Sequence, residues 1–406
     1  MVEERDGGVP WTVAHAYAGS EFFKEKLDAA GVGPDDISTA EDLQKLPFTT
    51  KEELRRTGPW GWTAVPLADV ARIHSSSGTT GRRVICTYTS NDLDDWADQF
   101  ARCYTFAGVE RDDRVQIMVG YGLWTAGVGF QIGAERLGAL TGPTGPGNTD
   151  LQFEMMTELE STVMCCTSSF ALLIAEEAHR RGLADDLNLR IGIMGSERWG
   201  EGMRDRIETL LPIETFDVYG LTELWGPGTA IECSFHEGMH YWDDHYIVEV
   251  VDPETMEPVP DGTEGELVLT TLAKEATPLL RYRTRDLSFR FADPCPCGSP
   301  YPRIGRITGR TDDTVKVRGV MLSPAQIDTV LSAVEGAGPE YQIHIARGAD
   351  GRDAVTVRYE AQDPSLSTEV AARLRQLIGL RIETEAVGEG SLPRTERKAR
   401  RLFDQR

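Results

Sequence analysis

The feature that most constrains the fold is a series of short apolar runs separated by segments with helical periodicity. VQIMVG (115–120), LRIGIMG (189–195) and TFDVYG (215–220) alternate with helix-like segments at 154–160 and 201–211. Strands that alternate with helices in this way favour parallel βαβ units. From residue 239 the texture changes to MHYWDDHYIVEVVD and GELVLTTL, with a Pro-Asp-Gly turn between them, which predicts antiparallel strands. The expected class is therefore α/β, with mixed βαβ and antiparallel β structure.

Two other segments complete the predicted architecture. Residues 91–107 place Trp96 and Phe100 on one helical face, with Ser90 available as the N-cap. After GRTDD (309–313) the chain has the texture of a small α+β module, with short strands and two further helices. This change in texture predicts a domain boundary at that segment.

The length and charge of the chain narrow its organisation and partners. At 406 residues it is too long for one ordinary core, so we expect an N-terminal domain over 1–309 and a C-terminal domain over 310–406. A net charge of −23 disfavours nucleic acid and anionic membranes as partners. No apolar run reaches the roughly 20 residues of a membrane span. The acidic start MVEERDGGVPW lacks the features of a signal peptide, so a cytoplasmic protein is expected.

The loop SSSGTTGRR (75–83) has the composition of a phosphate-binding segment. Hydroxyl groups and backbone N–H groups can wrap a phosphate chain, and glycines let the backbone come close. The loop lacks the G-x-x-x-x-G-K-[ST] spacing of a P-loop NTPase, and Arg82 and Arg83 stand where a lysine is usual. Since Gly, Ser and Thr also favour ordinary turns, the loop alone is a weak signal.

The loop gains meaning from the motifs that follow it in order. These are YGLTE (219–223), YRTRD (282–286), GRTDD (309–313) and LPRTERKARR (392–401). Longer stretches of the same kind are YGLWTAGVGFQIGAERLG (121–138), GSERWGEGMR (195–204), HYWDDHY (240–246), LTTLAKEATPLLRYRTRDL (269–287) and ITGRTDDTVKVRGVMLSPAQID (307–328). The ordered set resembles the adenylate-forming acyl-CoA synthetase superfamily, and within it the phenylacetate–CoA ligase family, over nearly the whole chain.

The resemblance implies an ATP site in the large domain. It assigns nucleotide contacts to Ser76, Ser77, Gly78, Thr79, Thr80, Gly81, Ser196, Glu197, Tyr219, Gly220, Asp286 and Arg310. Tyr219 would lie against the adenine, and Asp286 would accept the ribose hydroxyls. Thr222 would touch the phosphates, while the hard carboxylate oxygens of Glu223 suit Mg²⁺. Arg283 and Arg285 are left open between solvated and ion-paired roles.

The resemblance also implies two half-reactions and a mobile C-terminal domain. An acid and ATP first give an acyl-adenylate and pyrophosphate, and coenzyme A then displaces AMP. Lys398 would stabilise the charge that develops in the first step, and Asp312 would be the hinge. Lys398 is the one lysine after Lys316, which we expect to be a surface or strand-edge residue.

The acid pocket is expected around YGLWTAGVGF (121–130), a mixture of aromatic and small residues that suits a flat slot. The candidate substrate contacts in this stretch are Tyr121, Trp124 and Phe130. The family resemblance adds Gly195. An aromatic acid such as phenylacetate or benzoate would fit, although Trp124 and Phe130 could instead belong to the core. Trp124 stands where the family more often has phenylalanine, and Ala126 where it often has glycine, which leaves the particular acid open.

Four residues form a candidate zinc site. Cys233 and His240 flank a short polar loop, and Cys295 and Cys297 form a C-P-C motif in a Pro/Gly-rich segment. Three cysteines and one histidine are a normal structural zinc set, and some members of the family carry zinc at the corresponding loops. The C-x-C spacing is tighter than usual. His236 competes for the fourth position, and the HYWDDH setting favours His240.

Three functional hypotheses follow. The main one is an ATP- and Mg²⁺-dependent ligase that joins an aromatic acid to coenzyme A. The second keeps adenylation but passes the acyl group to a carrier-protein phosphopantetheine or an amine. The third is a zinc-containing interaction module without catalysis, which the presence of Glu223, Asp286 and Lys398 disfavours. A homodimer is the family expectation.

Overall fold

The computed structural model describes residues 8–76, 82–347, 353–395 and 399–406. The helices are α1 (Gly8–Gly19), α2 (Glu21–Ala30), α3 (Lys51–Arg56), α4 (Ser90–Phe106), α5 (Ala126–Leu137), α6 (Thr149–Glu158), α7 (Ser168–Arg181), α8 (Glu201–Leu210), α9 (Pro324–Ser332) and α10 (Ser367–Ile378). The strands are β1 (Arg72–Ser75), β2 (Ile85–Tyr88), β3 (Arg114–Ile117), β4 (Leu140–Gly142), β5 (Val163–Thr167), β6 (Ile191–Gly195), β7 (Glu214–Leu221), β8 (Gly226–Glu232), β9 (Met239–Tyr241), β10 (Tyr246–Val251), β11 (Gly265–Thr271), β12 (Tyr282–Ser288), β13 (Arg303–Ile304), β14 (Gly309–Arg310), β15 (Val315–Val317), β16 (Val320–Leu322), β17 (Ala337–Arg347), β18 (Asp353–Ala361), β19 (Glu383–Val387) and β20 (Leu402–Asp404). Helices and strands mix throughout, as the α/β prediction requires.

An eight-stranded sheet forms the centre of the large domain, in the order β13-β9-β8-β7-β6-β5-β3-β4. The strands from β4 to β7 are parallel, which confirms the βαβ prediction, and β8, β9 and β13 continue antiparallel. β5 and β6 are buried along their whole length. Val163 and Cys165 face one apolar cluster and Met164 and Cys166 face another, as the two-residue period of a strand dictates.

A second sheet of the large domain has the order β10-β11-β12-β14 and is antiparallel throughout. The change of texture seen from residue 239 onward is therefore confirmed. The N-terminal region packs on this sheet, with Thr49 N–H and the Thr49 carbonyl bonded to Arg281 and Arg283 of the β12 region. This contact brings α3 close to the residues that follow β7.

The C-terminal module has its own sheet, in the order β19-β18-β17-β20, and its own core. Helices α9 and α10 supply Ile327, Val370 and Leu374 to that core. β15 and β16 form a separate hairpin, where Lys316 is exposed as expected. The large-domain and C-terminal elements each cluster as predicted, while the boundary at 309–313 itself stays a prediction.

Helix α4 corrects one local expectation. The N-cap is Thr89 rather than Ser90. The Thr89 hydroxyl accepts a hydrogen bond from the Asp92 N–H at 3.0 Å, and the Asp92 carboxylate accepts one from the Thr89 N–H. This reciprocal capping box begins the helix one residue earlier. Trp96 and Phe100 are fully buried as predicted. Among the described residues, none of the helices has the length and apolar character needed to cross a membrane.

Candidate active site

A cavity of about 470 Å³ lies between the large domain and the C-terminal module. The large-domain wall comes from the end of β7, from residues 196–200 and from β14. The opposite wall comes from the start of α9 and from residues 399–402. Since both domains line this cleft, any rotation between them changes its shape.

Tyr219, Asp286 and Arg310 form a hydrogen-bonded chain along one wall of the cleft. The Tyr219 hydroxyl donates to Asp286 Oδ2 at 2.7 Å, and Arg310 Nη1 lies 2.5 Å from Asp286 Oδ1. Asp286 and Arg310 are direct partners in the pairing of β12 with β14, so strand register sets the guanidinium against the carboxylate. The structure thus brings together three residues predicted from separate motifs.

Burial and charge tune this chain. Burial and the adjacent Asp286 carboxylate raise the pKa of Tyr219 well above its usual value, so the hydroxyl stays a donor. Burial raises the pKa of Asp286, and Arg310 and the Tyr219 hydroxyl oppose that effect. Burial lowers the pKa of Arg310, but Asp286 and Asp312 outweigh it and the net change is upward. The result is a buried, charge-paired carboxylate at the edge of the cleft.

Gly195, Ser196 and Glu197 line the bend after β6. A Cβ on Gly195 would lie 2.4 Å from the Val218 carbonyl oxygen, so the close approach of β6 to β7 requires glycine. Ser196 takes a left-handed φ of 71°, which turns the chain sharply into the cleft. Glu197 accepts bonds from the Ser169 N–H at 2.7 Å and from the Ala399 N–H at 2.9 Å. Glu197 therefore links the two domains.

Gly220 continues the same wall at the end of β7. A Cβ there would lie 2.0 Å from the Gly226 carbonyl oxygen, because β7 and β8 cross closely at this point. This residue lines the cavity beside Tyr219. A side chain at position 220 would push β8 away and would move the predicted adenine wall.

The base of the phosphate loop is anchored at Ser76. Its hydroxyl accepts the Val84 N–H at 3.1 Å, and its own N–H donates to the Val84 carbonyl at 3.0 Å. Arg83 Nη1 donates to the Ser76 carbonyl at 3.0 Å, so this arginine supports the loop base. The other predicted loop contacts fall outside the described residues: Ser77, Gly78, Thr79, Thr80 and Gly81.

Glu223 is almost completely buried, at 1 % exposure, and its direct charge partner was missed by sequence reasoning. Lys51 Nζ, at the first position of α3, lies 2.8 Å from Glu223 Oε1. Thr222 lies next to this pair, with its hydroxyl 3.4 Å from that of Thr125. No local motif marks Lys51, and only its status as one of seven lysines could have prompted attention.

Lys274 is a second lysine near Glu223 and, unlike Lys51, is completely buried; sequence reasoning missed it as well. Its Nζ donates to the Glu223 carbonyl at 3.3 Å and lies 4.7 Å and 5.2 Å from the ring centroids of Tyr88 and Trp225. Burial lowers the pKa of Lys274, and negative groups including Asp92 oppose that effect. This cation fixes the backbone that presents Glu223.

The predicted acid-pocket residues fall into two environments. Tyr121 and Trp124 are half-buried and pack against glycines: a Cβ on Gly127 would lie 2.7 Å from the Tyr121 ring. Phe130 is 1 % exposed, and its ring centroid lies 4.6 Å from that of Phe100 in the core. Phe130 therefore belongs to the hydrophobic core, which was the alternative interpretation of this residue.

The four predicted zinc ligands converge. The ligand atoms of Cys233, His240, Cys295 and Cys297 lie within 4.8 Å of one another. Cys233 Sγ is 3.7 Å from Cys295 Sγ, and Cys297 Sγ is 3.4 Å from His240 Nε2. His236 is held elsewhere, with its ring nitrogens 3.4 Å and 3.1 Å from the Glu232 and Glu214 carboxylates.

The remaining site predictions concern Lys398, the predicted hinge residue Asp312 and the two arginines whose roles were left open. Lys398 lies outside the described residues, whereas the next residue, Ala399, lines the cleft. Asp312 accepts a hydrogen bond from Arg310 Nε at 2.8 Å, so the predicted hinge residue is bonded to a predicted nucleotide contact. The two open arginines are ion-paired: Arg283 with Glu266 at 2.7 Å and Arg285 with Glu52 at 3.2 Å.

Known proteins share this architecture. A family model described as AMP-binding enzyme matches residues 20–272, and one described as AMP-binding enzyme C-terminal domain matches residues 319–406. The chain is 39 % identical to the phenylacetate-coenzyme A ligase of Escherichia coli (strain K12), covering 98 % of this chain and 93 % of that protein. It is also 39 % identical to the phenylacetate-coenzyme A ligase of Pseudomonas putida, covering 98 % and 92 %.

The chain resembles one solved state of 2-hydroxyisobutyryl-CoA ligase more closely than another. Its post-adenylation state with 2-HIB-AMP gives a TM-score of 0.89 at 28 % identity, covering 98 % of this chain and 88 % of that one. Its thioesterification state with 2-HIB-AMP and CoA gives 0.72 at 28 % identity, covering 97 % and 87 %. From the motifs, the cleft and these relatives together, the chain belongs to the phenylacetate–CoA ligase family of AMP-binding enzymes.

Proposed function

We propose that the protein is an AMP-forming acid–thiol ligase that uses ATP to join an aromatic carboxylic acid to coenzyme A. The hydrogen-bonded chain of Tyr219, Asp286 and Arg310 in the interdomain cleft carries this proposal, because it supplies a nucleoside site where both domains meet. The products are the aryl-CoA thioester, AMP and pyrophosphate. Membership of the phenylacetate–CoA ligase family supports the same reaction.

In the first half-reaction a carboxylate oxygen of the acid attacks the α-phosphorus of ATP. A new O–P bond forms, the bond to the β-phosphate oxygen breaks, and pyrophosphate leaves with that electron pair. Asp286 accepts the ribose hydroxyls, and Tyr219 borders the adenine. Lys398 supplies a cation for the charge that accumulates on the phosphates, and adjacent Ala399 lines the cleft.

Glu223 is the residue proposed to hold Mg²⁺. Its buried carboxylate is paired with one ammonium, that of Lys51, and the Thr222 hydroxyl lies next to it in the chain, so the local donors are hard oxygens of the kind Mg²⁺ prefers. The ion, when bound, neutralises phosphate charge. Lys51 already offers a positive charge at the same carboxylate, which shows that this position accepts a cation.

In the second half-reaction the C-terminal module rotates about Asp312 and coenzyme A enters. The thiolate attacks the acyl carbonyl, the C–S bond forms, and the C–O bond to AMP breaks. The higher TM-score to a post-adenylation form than to a thioesterification form supports an adenylation pose for the present arrangement. Residues 316–322 face the site in the second pose.

The acid is proposed to be aromatic, of the phenylacetate or benzoate type. Tyr121 and Trp124 offer flat, half-buried faces for a ring. Gly195, Ser196 and Glu197 are assigned to the same pocket by the family resemblance. Transfer to a carrier protein or an amine is not favoured, because the curated relatives that match nearly the full chain are named as coenzyme A ligases.

Acid-dependent exchange of pyrophosphate into ATP tests the proposal. The purified protein is assayed with a panel of aromatic acids, and then with coenzyme A and mass spectrometry of the product. We expect exchange with at least one arylacetic or benzoic acid and formation of its thioester. Absence of exchange with every acid would overturn the enzyme assignment, and exchange without thioester would point to another acceptor.

We also propose a structural zinc ion held by Cys233, His240, Cys295 and Cys297. Tetrahedral geometry with Zn–S of 2.3 Å requires S···S separations of about 3.8 Å and S···N separations of about 3.5 Å. The observed 3.7 Å and 3.4 Å fit that geometry closely. His240 Nδ1 lies 2.8 Å from the Tyr301 carbonyl, which can only accept, so Nε2 keeps its lone pair for the metal.

Elemental analysis tests the zinc proposal. Freshly purified protein should contain about one equivalent of zinc, and Cys295→Ser should contain far less and unfold at a lower temperature. The control is Cys86→Ser, at a buried thiol outside the cluster. Equal zinc contents in Cys295→Ser and wild type would contradict the assignment.

We further propose a cytoplasmic homodimer. All seven cysteines are free thiols, which fits a reducing compartment, and the three cysteines of the proposed zinc site can bind the metal only in that state. Cell fractionation tests the compartment, and light scattering at micromolar concentration tests the dimer. A monomeric mass would contradict the second part.

A further inference from the structure

The guanidinium of Arg394 lies between two carboxylates, one from each domain. Its Nε and Nη2 atoms are both 2.9 Å from the Glu176 oxygens on α7 of the large domain. Its Nη1 and Nη2 atoms are both 2.8 Å from the Glu360 oxygens on β18 of the C-terminal module. The Arg394 side chain is 12 % exposed and that of Glu176 is 26 % exposed, so this doubly bidentate arrangement is partly shielded from water.

The carboxylates of Glu360 and Glu176 differ in burial and in their other contacts. Glu360 is 3 % exposed and also accepts the Leu392 N–H at 2.8 Å, so it fixes Arg394 to its own domain. Burial raises the pKa of Glu360, but Arg394 and the Leu392 N–H outweigh it and keep the group ionised. Within the described part of the chain, Glu176 has Arg394 as its one ion-pair partner. The Glu176 contact is therefore the part of the arrangement that depends on domain position.

Arg394 also has a special place in the sequence. Lys398 follows it by four residues, and Ala399 donates its N–H to Glu197 of the large domain at 2.9 Å. Both described ends of this segment are thus bonded to the large domain. A rotation of the C-terminal module that withdraws the segment must break both contacts.

Arg198 also pairs with Asp328 across the domains, whereas the interdomain pair of Arg206 with Glu389 is much weaker by geometry. Arg206 Nη2 lies 3.8 Å from Glu389 Oε2, and the two side chains are 35 % and 45 % exposed. A single long contact between exposed groups contributes little to stability. This pair therefore provides a matched comparison for the less exposed, bidentate contact of Arg394 with Glu176.

We propose that Arg394 and Glu176 form an interdomain latch that holds the C-terminal module in the adenylation pose and positions the segment carrying Lys398. The latch rests on the proposed two-pose function and goes beyond it by naming the contact that biases the poses. Arg394 is a positioning residue, since it acts through the segment and not on ATP. Glu360 holds the Arg394 side chain in place when the contact with Glu176 is broken.

The latch has a quantitative consequence. If each half-reaction proceeds in proportion to the population of its pose, the ratio of the two rates follows the equilibrium between poses. Weakening a charge-assisted bidentate contact should shift that ratio by about tenfold, whatever the starting balance. From an even balance, the adenylation rate would fall about fivefold and the thioester rate would rise up to about twofold.

The experiment compares Glu176→Gln with Glu389→Gln in the full-length protein. Adenylation is measured as acid-dependent pyrophosphate exchange, and the second step as thioester formation from supplied acyl-adenylate and coenzyme A. Glu176→Gln should lower the ratio about tenfold, Glu176→Asp should recover part of it, and Glu389→Gln should leave it unchanged. General damage to the fold would lower both rates together and cannot produce opposite changes.

Hydrogen–deuterium exchange provides a readout that needs no activity. The Ala399 amide is protected by Glu197 only while the domains meet, so its peptide should exchange faster in Glu176→Gln than in wild type or Glu389→Gln. An unchanged rate ratio with unchanged exchange would overturn the latch. Wild-type protein without pyrophosphate exchange would overturn the proposed function instead, and the amide measurement would still decide whether the contact sets the pose.

Discussion

The two parts of the proposed ATP site, a nucleoside end at Tyr219, Asp286 and Arg310 and a phosphate end at Glu223, are built differently. At the nucleoside end, Tyr219, Asp286 and Arg310 are joined to one another by short bonds and are set by strand register. At the proposed phosphate end, Glu223 is paired with Lys51, which lies on helix α3. Recognition of a ribose needs fixed acceptors, whereas phosphate chemistry needs cations that can be exchanged or withdrawn.

This contrast follows from where charge changes during the reaction. The nucleoside keeps the same charge throughout, so a rigid hydrogen-bonded chain serves it in every step. Charge on the phosphates grows in the first transition state and leaves with pyrophosphate, so groups there must stabilise a transient state. The four predictions below test this contrast, beginning with the largest effect.

Replacing Lys398 should have the largest effect. We expect Lys398→Ala to lower the rate of adenylation by about 10³-fold or more, because a cation aimed at developing phosphate charge acts on the transition state. Thioester formation from supplied acyl-adenylate should stay within a few-fold of wild type. Pyrophosphate exchange and thioester release measure the two steps. Equal loss in both would contradict the proposed role, and Lys24→Ala, at an exposed position of α2, is the control.

Neutralising Asp286 should weaken the nucleoside end. Asp286→Asn removes a charged acceptor and its pair with Arg310, so kcat/KM for ATP should fall by about 10²-fold, mainly through KM. Steady-state kinetics at varied ATP concentration check this. Asp313→Asn, at a residue 57 % exposed and 4.0 Å from Arg310, should change kcat/KM little. A loss confined to kcat would show that Asp286 acts in the chemistry and not in binding.

Removing Lys51 should leave Glu223 buried without its direct ion-pair partner. We expect Lys51→Met to lower the free energy of unfolding by about 1–3 kcal/mol without added metal, allowing for the partial exposure of the lysine. Added Mg²⁺ should recover part of this loss, since it can replace the missing cation. Urea denaturation with and without Mg²⁺ measures both effects. Lys45→Met, at an exposed pair with Asp42, is the control, and an Mg²⁺ effect equal to that of wild type would contradict the exchange of cations.

The smallest expected effect concerns His74, on the strand that leads into the phosphate loop. Burial lowers its pKa to about 4, so the folded protein binds fewer protons than the unfolded chain between roughly pH 6.5 and 4. Stability should therefore fall as the pH drops through this window, by on the order of 1–2 kcal/mol. Denaturation at several pH values checks this, and His74→Gln should flatten that part of the curve. An unchanged slope would assign the acid sensitivity to other groups.

Some of the site was predictable because local sequence carries it. Tyr219 and Asp286 lie in motifs whose residue types match their chemistry, and the strands that hold them are marked by apolar runs. Helix α4 was placed within one residue, and only its cap was misjudged, because Thr89 and Ser90 are both suitable caps and backbone geometry chooses between them. Local pattern thus fixes elements and candidate residues.

The fourth ligand of the proposed zinc site shows what local sequence pattern cannot predict. The sequence offers both His236 and His240, four residues apart, as ligands. In the fold, His236 is engaged by Glu232 and Glu214, and burial with the Tyr301 carbonyl orients His240 toward the cysteines. The choice depends on strands β9 and β13 pairing, a long-range event.

The sequence by itself determined the fold class and the family, because strand periodicity and short motifs depend on neighbouring positions. Tertiary structure alone decided that Lys51 faces Glu223, that Phe130 packs in the core and that Arg394 reaches Glu176. Each of these contacts joins residues far apart in the chain, and at each one the partner is set by how sheets and domains pack. Charge pairing across such distances leaves no local trace, since the cost of burying a charge is met only by a partner that the fold brings near.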